Sequence, residues 1–306
     1  MKSIAFLLSL LAFNFSCTSQ SKSIIAKGAD LILVADGYAF TEGPASDKEG
    51  NVYFTDQPNN RILKWDAQRN TVSTYMRPVG RANGLYVDYQ GNLLAAADEK
   101  NELWLIDANK NVSILSHQFQ NKKYNGPNDI WVDKKGGIYF TDPYYQRPYW
   151  QHKEAELAAQ SVYYIAPNST DANVIAANFT RPNGIIGTAD GSTLYIADIG
   201  DGKTYSYTIE ADGTLSNRQL FTRMGSDGMT IDNQGNVYLT GDGVFVFESK
   251  GNQIENIDTG ADWTANVTFG GTEQNMLFIT ASKAVYTLKM SVEGVRWQRQ
   301  SITRIS

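Results

Sequence analysis

Residues 124–142 read YNGPNDIWVDKKGGIYFTD. The stretch opens on the polar pair Asn128 and Asp129, forms a short apolar strand, turns at Gly136 and closes a second strand on Asp142. Versions of it recur as EGPASDKEGNVYFTD at 42–56, NGLYVDYQGNLL at 83–94, NGIIGTADGSTLYIAD at 183–198, DGMTIDNQGNVYLT at 227–240 and, more degenerate, NVTFGGTEQNMLF at 266–278. A repeated unit is stronger evidence for a protein's architecture than any single predicted strand, so this stretch predicts the fold.

The repeat predicts an all-β protein, a six-bladed β-propeller. Each copy supplies two strands, and two further short alternating segments follow before the next copy begins. Six four-stranded units of this kind are typical of a propeller. The sixth unit has no obvious fourth strand, whereas an orphan strand at Asp30–Ala35 precedes the first unit. We therefore expect the orphan strand to close blade 6 and cover its edge, with the tail 295–306 as the alternative.

The composition agrees with a single large β domain over residues 29–306. The chain has 306 residues, of which 42% are hydrophobic, and it contains 17 Tyr, 13 Phe and 26 Gly. Aromatic residues favour strands, and glycines favour the many turns that a propeller needs. The net charge is −5 with no clustered basic patch, which argues against nucleic acid as a partner.

The first residues resemble a targeting segment. Residues 1–17 combine Lys2 with an apolar run and end on Cys17, the single cysteine of the chain. This pattern predicts a signal peptide of the lipoprotein type, an 18–28 linker, and a periplasmic protein attached to a bacterial membrane through a lipid on Cys17. The alternative is ordinary secretion with Cys17 removed. No disulfide framework is available to one cysteine.

A ring of oxygen-bearing side chains follows from the repeat. The residue eight positions before each turn glycine, or before Gln274 in the sixth copy, is in order Glu42, Asn83, Asn128, Asn183, Asp227 and Asn266. Equivalent positions of the innermost strands surround one axis, so these side chains should line the central channel. Oxygen donors with two carboxylates and no His or Cys suit a hard divalent cation, and Ca²⁺ fits best. The alternative is that Asn and Asp before glycine only form turns.

Four short motifs resemble one known family. Glu42-Gly43-Pro44, Pro127-Asn128-Asp129, Pro182-Asn183-Gly184 and Ser226-Asp227-Gly228 are similar to the calcium-binding signature of the gluconolactonase/regucalcin/senescence-marker-protein family. The resemblance extends from about Asp30 to Leu288. It implies a calcium-dependent six-bladed propeller in which Glu42, Asn128, Asn183 and Asp227 bind the metal, and in which other divalent cations can substitute.

The resemblance also implies hydrolysis of a lactone, a small-molecule substrate such as an aldonolactone, by water activated at the metal. This makes the protein a hydrolase acting on carboxylic ester bonds. A cation polarises the lactone carbonyl and stabilises the developing oxyanion. Asp227 is the predicted catalytic base, because the family gives that aspartate a double role. The alternative is a non-catalytic ligand-binding or interaction propeller with a structural calcium.

Six further side chains are predicted to contact substrate. Asn83 and Asn266 should line the pocket without binding metal. The long loop 143–160 is predicted to cover the metal, with Trp150 either stacking on a sugar ring or packing on the rim, and His152 acting as a second base or an orienting donor. Arg81 and Arg181 each lie two residues before a ring asparagine, where they either bind an anionic group or pair with a nearby carboxylate.

Overall fold

The computed structural model describes residues 23–295, which form six four-stranded antiparallel sheets arranged as blades around a central channel. The first strand of each blade contacts the first strands of both neighbouring blades, so the inner strands make a closed ring. The predicted all-β, six-bladed β-propeller is therefore confirmed. A further short hairpin connects blades 2 and 3.

The strands are numbered in chain order. Before blade 1 comes β1 (Ile32–Asp36). Blade 1 contains β2 (Thr41–Ser46), β3 (Val52–Asp56), β4 (Arg61–Asp66) and β5 (Thr71–Met76), with a 3₁₀ turn at Gln57–Asn59. Blade 2 contains β6 (Ala82–Val87), β7 (Leu93–Ala97), β8 (Glu102–Ile106) and β9 (Val112–Ser116), and the hairpin is β10 (Gln118–Phe119) and β11 (Lys122–Lys123). Blade 3 contains β12 (Ile130–Val132), β13 (Ile138–Asp142), β14 (Gln160–Ile165) and β15 (Ala172–Phe179).

The second half of the chain repeats the same order. Blade 4 contains β16 (Pro182–Gly187), β17 (Thr193–Asp198), β18 (Lys203–Ile209) and β19 (Leu215–Thr222). Blade 5 contains β20 (Met229–Ile231), β21 (Val237–Gly241), β22 (Gly243–Phe247) and β23 (Gln253–Ile257). Blade 6 contains β24 (Thr264–Gly270), β25 (Met276–Ala281) and β26 (Ala284–Lys289).

The fourth strand of blade 6 comes from the beginning of the propeller. Strand β1 pairs antiparallel with β26, and Ile32 lies opposite Thr287 in the register. The sheet order is β1-β26-β25-β24, as predicted from the orphan strand. Val34 packs into a cluster that contains Phe54 of blade 1 and Phe278 of blade 6. The strand therefore both completes a sheet and joins the two ends of the ring.

The core lies between neighbouring blades, where sheet faces meet through aromatic side chains. Trp131 on β12 is fully buried, and its ring lies 5.3 Å from that of Tyr139. Tyr163 stacks on Phe140 at 5.2 Å within the next cluster. Both pairs belong to blade 3, and their clusters also contain Ile196 of blade 4 and Leu94 of blade 2. Complete burial of a large apolar side chain contributes about 1.5–3 kcal/mol, so these clusters hold neighbouring blades together.

Several predictions for the ends of the chain fall outside residues 23–295. These are the signal peptide at 1–17 with Cys17, residues 18–22 of the linker at 18–28, and the tail after Val295. Ile24 is already buried against blades 5 and 6, so packed structure begins a few residues before the predicted domain start. Within the described range, no helix is long and apolar enough to cross a membrane.

Candidate metal centre and substrate cavity

The six predicted ring residues lie where the innermost strands begin. Five of them are buried, and Asp227 is half-buried. The strand ladder is interrupted at each of these positions. Register shifts follow or precede the ring residue in blades 1, 2, 4 and 6, and in blades 3 and 5 the strand starts after it. A break in the ladder re-aims a side chain, which explains how these residues turn toward the channel.

The glycine after a ring residue lets neighbouring inner strands approach closely. Gly43 has φ +48°, and a Cβ on it would lie 2.2 Å from the backbone oxygen of Asn83. A Cβ on Gly228 would lie 1.9 Å from Cγ of Asn266. Only glycine fits at such distances. The Glu-Gly and Asp-Gly pairs of the repeat are therefore required by packing as well as by any ligand chemistry.

Aspartates at the ends of the second strands hold the backbone segments that lead into three of the ring residues. Asp56 accepts hydrogen bonds from the amides of residues 39 and 40, Asp142 from those of 125 and 126, and Asp198 from those of 180 and 181. In each case the last bonded amide lies two residues before the ring residue. The recurring aspartate that ends the repeat thus positions the ring.

Hydrogen bonds join the ring residues to one another. Asn183 donates its amide nitrogen to Oδ1 of Asp227 at 2.7 Å and to the Tyr145 hydroxyl at 3.1 Å. The indole nitrogen of Trp263 donates to the other oxygen, Oδ2 of Asp227, at 2.6 Å. Both carboxylate oxygens of Asp227 are therefore held in fixed directions. Glu42 accepts from the Gly43 amide at 2.8 Å.

The donor set fits a divalent cation. Within residues 23–295, the amide oxygens of Asn83 and Asn183 are buried without a hydrogen-bond partner. A buried acceptor without a partner costs about 1–3 kcal/mol unless a ligand satisfies it. Two carboxylates and unsatisfied amide oxygens are the ligands that Ca²⁺ takes. No group of three or more His, Cys, Asp or Glu side chains that could hold a metal exists in the described range, so amide oxygens must complete any site.

Without a cation, the charged forms of the two ring carboxylates are electrostatically unfavourable. Burial raises the pKa of Glu42 well above its ordinary value, and the nearby charge of Asp227 raises it further. Burial raises the pKa of Asp227 to about 6, although the hydrogen bonds from Trp263 and Asn183 oppose the rise. Two buried like charges favour either a proton or a bound cation between them.

A cavity of about 340 Å³ opens above the ring. The residues that line it are Phe40, Glu42, Asn83, Asn128, Tyr145, Arg147, Arg181, Asn183, Ile199, Asp227 and Trp263. All four predicted metal ligands are in this set, as are the predicted substrate contacts Asn83 and Arg181. The cavity can admit a small polar molecule such as a sugar.

The loop between β13 and β14, residues 143–159, forms a lid on this cavity. Asp98 holds it, because Oδ2 of Asp98 accepts hydrogen bonds from Nε of Arg147 at 2.6 Å and from the Tyr149 hydroxyl at 2.8 Å. The Trp150 indole donates to the backbone oxygen of Asp98 at 2.8 Å. Gln57 also donates to Asp98 Oδ2, at 2.9 Å. The lid is thus anchored on blade 2 although it belongs to blade 3.

The other predicted substrate contacts lie outside the cavity lining. Trp150 is a buried residue of the lid and packs on the ring of His152, with 4.7 Å between ring centroids. Burial lowers the pKa of His152. Asn266 donates to Glu42 at 3.3 Å. The Arg81 guanidinium lies 4.4 Å from the Tyr149 ring centroid and donates to the backbone oxygen of Pro58. Contact of these four residues with substrate stays a prediction.

Sequence reasoning missed three cavity residues that carry hydrogen-bond donors. Tyr145 and Arg147 belong to the predicted covering loop, but the contacts predicted within that loop were only Trp150 and His152. Trp263 lies three residues before Asn266, in the connection that enters blade 6. An aromatic residue just upstream of a ring position was the available signal for Trp263. No sequence pattern pointed to Asp98 as the lid's partner.

Known proteins resemble this chain over most of its length. A gluconolactonase from Zymomonas mobilis is 25% identical over 302 residues, covering 89% of this chain and 84% of the relative. The solved structure of a gluconolactonase from Xanthomonas campestris is 28% identical with a TM-score of 0.81, covering 87% of this chain and 91% of that one. A calcium-binding regucalcin from Agrobacterium tumefaciens has the same fold, with 19% identity, a TM-score of 0.74 and coverage of 88% and 96%.

The family model described as SMP-30/Gluconolactonase/LRE-like region matches residues 40–283. This range contains every ring residue and the whole lid. The expectation of a lactone-hydrolysing hydrolase is confirmed at the level of the family, since several relatives are named gluconolactonase or lactonase. From the repeat, the ring and this match, the chain belongs to the SMP-30/Gluconolactonase/LRE-like family.

Proposed function

We propose that the protein hydrolyses a sugar lactone, such as an aldonolactone, in the cavity above the ring, and that the reaction depends on Ca²⁺. The observation that carries the proposal is the meeting of the buried Glu42 and the half-buried Asp227 with unsatisfied amide oxygens at the floor of a covered cavity. A purely structural metal would need no lid. The named gluconolactonases among the relatives support the substrate class.

Glu42, Asn128, Asn183 and Asp227 would hold the cation. When bound, the cation would polarise the lactone carbonyl and lower the pKa of the groups that contact it. The loose, all-oxygen donor set favours Ca²⁺ over smaller ions that demand stricter geometry. A site of this kind outside the cytosol would have a Kd of roughly 10⁻⁴–10⁻³ M.

Asp227 would accept a proton from the attacking water. Its carboxylate is held from two sides by Asn183 and Trp263, so it cannot rotate away from the cavity. Hydrogen bonds of this kind fix a base within reach of its proton, which general-base catalysis requires. Asn83 lines the same cavity, where it would contact the substrate.

The first test is proton release from a panel of sugar lactones, with the spontaneous rate subtracted. The purified protein, Asp227→Asn and the matched control Asp212→Asn are compared with calcium and after chelation. Asp212 is an exposed turn residue bonded to Thr214, so its variant should keep the wild-type rate. Loss of a general base should lower kcat by roughly 10²–10⁴-fold.

Turnover that survives both chelation and Asp227→Asn would overturn the proposal. Absence of turnover on every lactone, together with a calcium-dependent rise in Tm, would instead favour the non-catalytic propeller with a structural calcium.

We also propose export to the periplasm with a lipid on Cys17, on the sequence of residues 1–17 alone. Cys17→Ser should abolish incorporation of labelled palmitate and release the protein from the membrane fraction. Unchanged membrane attachment in this variant would contradict the lipid anchor.

A further inference from the structure

Two arginines meet at the mouth of the cavity. Arg147 comes from the lid and Arg181 from the connection that enters blade 4. Their Cζ atoms lie 5.5 and 4.8 Å from the centroid of one ring, that of Tyr145. Because the Tyr145 hydroxyl accepts a hydrogen bond from Asn183, this tyrosine connects the arginines to the ring below. Both arginines line the cavity.

Arg181 is available to a ligand. Its residue is exposed, and no carboxylate of residues 23–295 lies within ion-pair distance of its guanidinium. Its sequence equivalent, Arg81, is 3.8 Å from Glu99. Of the two arginines that precede ring asparagines, Arg181 is therefore the one whose guanidinium has no carboxylate partner and can pair with a ligand in the cavity.

Arg147 is oriented by one hydrogen bond and still has donors available to a ligand. Its Nε donates to Asp98 at 2.6 Å, and its side chain is 24% exposed. This single bond fixes the plane of the guanidinium and leaves its two terminal nitrogens for another acceptor. A planar, pre-oriented guanidinium is the group that binds carboxylate, sulfonate or phosphate oxygens in pairs.

The two arginines at the mouth differ in whether a carboxylate pairs with them. Asp98 balances Arg147, and a divalent cation would balance Glu42 and Asp227. Arg181 has no such carboxylate partner among residues 23–295. A neutral sugar lactone can accept hydrogen bonds from this guanidinium through its hydroxyl groups, but it has no anionic group to pair with the charge.

We propose that the natural lactone carries an oxyanion group remote from its carbonyl, bound by Arg147 and Arg181 while the carbonyl faces the ring. This proposal rests on the lactonase function proposed above and narrows its substrate. Carboxylate, sulfonate and phosphate monoester share the chemistry that a pair of guanidinium groups recognises.

The test compares kcat/KM for glucono-1,5-lactone with that for its 6-phosphate and for a glucarolactone, which carries a carboxylate. The calcium-loaded wild type, Arg181→Gln and Arg181→Lys are measured. Arg218→Gln is the matched control, because Arg218 stacks on Tyr205 at 3.9 Å away from the cavity. We expect the wild type to prefer at least one anionic lactone, and Arg181→Gln to reduce that preference roughly tenfold, as loss of a charge-assisted hydrogen bond does. Arg181→Lys should restore part of it, and Arg218→Gln should leave it unchanged.

Two results would overturn the proposal: hydrolysis of the neutral lactone with no preference for either anionic one, or a preference that Arg181→Gln leaves intact. If no lactone is hydrolysed, the proposed function fails by itself. Calorimetric binding of 6-phosphogluconate and gluconate then decides the anion site, and equal affinities would overturn it.

Discussion

Replacing Asp98 with asparagine tests how the lid is held. In the wild type, one carboxylate oxygen accepts hydrogen bonds from Arg147, Tyr149 and Gln57. The asparagine would keep the shape of the side chain but remove its charge. Burial raises the pKa of Asp98 and Arg147 opposes the rise, so the two groups depend on each other. The substitution leaves a largely buried guanidinium without its anion.

The expected cost follows from these contacts. Hydrogen bonds to charged groups contribute about 1.5–3 kcal/mol, and the strongest here is the 2.6 Å bond from Arg147. The arginine is 24% exposed, so water recovers part of the loss. We expect the docked lid to lose about 2 kcal/mol, which corresponds to an opening equilibrium roughly 30-fold more favourable.

Hydrogen exchange of the backbone amides measures this directly. Amides of residues 143–159 should exchange roughly 30-fold faster in Asp98→Asn, whereas amides of blade 5 should not change. Asp201→Asn is the matched control, because it breaks an exposed ion pair with Lys203 at 2.8 Å. Such surface pairs contribute about 0–1 kcal/mol. The lid carries Tyr145 and Arg147 to the cavity, so kcat/KM should fall in Asp98→Asn because the lid is docked for less of the time.

The prediction is wrong if the lid amides of Asp98→Asn exchange at the wild-type rate. It is equally wrong if all six blades exchange faster to the same degree, because Asp98 would then stabilise the whole propeller and not the lid.

Two further predictions concern stability. Burial raises the pKa of Asp142 to about 7, above its unfolded value of about 4. Between these two pH values folding takes up a proton, so the unfolding free energy of the metal-free protein should fall as pH rises. Tm measured across this range should show the slope, and Asp142→Asn should reduce it; an equal slope in the variant would contradict the assignment. Val34→Asp places a charge in the cluster that joins blades 6 and 1 and should cost about 2–4 kcal/mol in urea unfolding, whereas Leu33→Asp, at a position 51% exposed, should cost under about 0.5 kcal/mol. Equal costs for the two variants would show that β1 does not close the ring as described.

The fold was predictable because one local pattern repeats. Each copy of the repeat contains its own turn and its own strand pair, and neither needs distant information. The closing strand also followed from the sequence, since the sixth unit lacked a strand and the first residues of the domain offered one. The ring residues were predicted from their constant spacing to the turn of each repeat. In the structure, the strand ladders are interrupted at these same positions.

The lid could not be predicted in the same way, because its contacts join residues far apart in the sequence. Asp98 and Arg147 belong to different blades, and their bond depends on how those blades pack. In the structure, Asp98 lies one position beyond the end of β7, whereas β3, β13 and β17 each end on their aspartate. That displacement frees its carboxylate for the lid, while Asn60 accepts the amide of Arg81 instead.

The two arginines before ring asparagines show the same limit. Arg81 has φ +48°, whereas Arg181 is anchored through its amide by Asp198. Identical spacing therefore leads to different side-chain directions, because the backbone partner differs between blades 2 and 4. Sequence position alone cannot separate a guanidinium that faces the cavity from one that packs beneath the lid.

The pairing of β1 with β26 also has a consequence for the order of events during synthesis. A ribosome makes Ile32 long before its partner Thr287, so the first strand must wait for the other blades before it has a neighbour. Ring closure is therefore a late step that requires contacts of very large sequence separation, and such contacts form slowly. Until it occurs, blades 1 and 5 have no fixed distance between them, and Glu42 and Asp227 do not yet share a site. A chain without blade 6 would therefore lack the closed ring on which the proposed cation site depends.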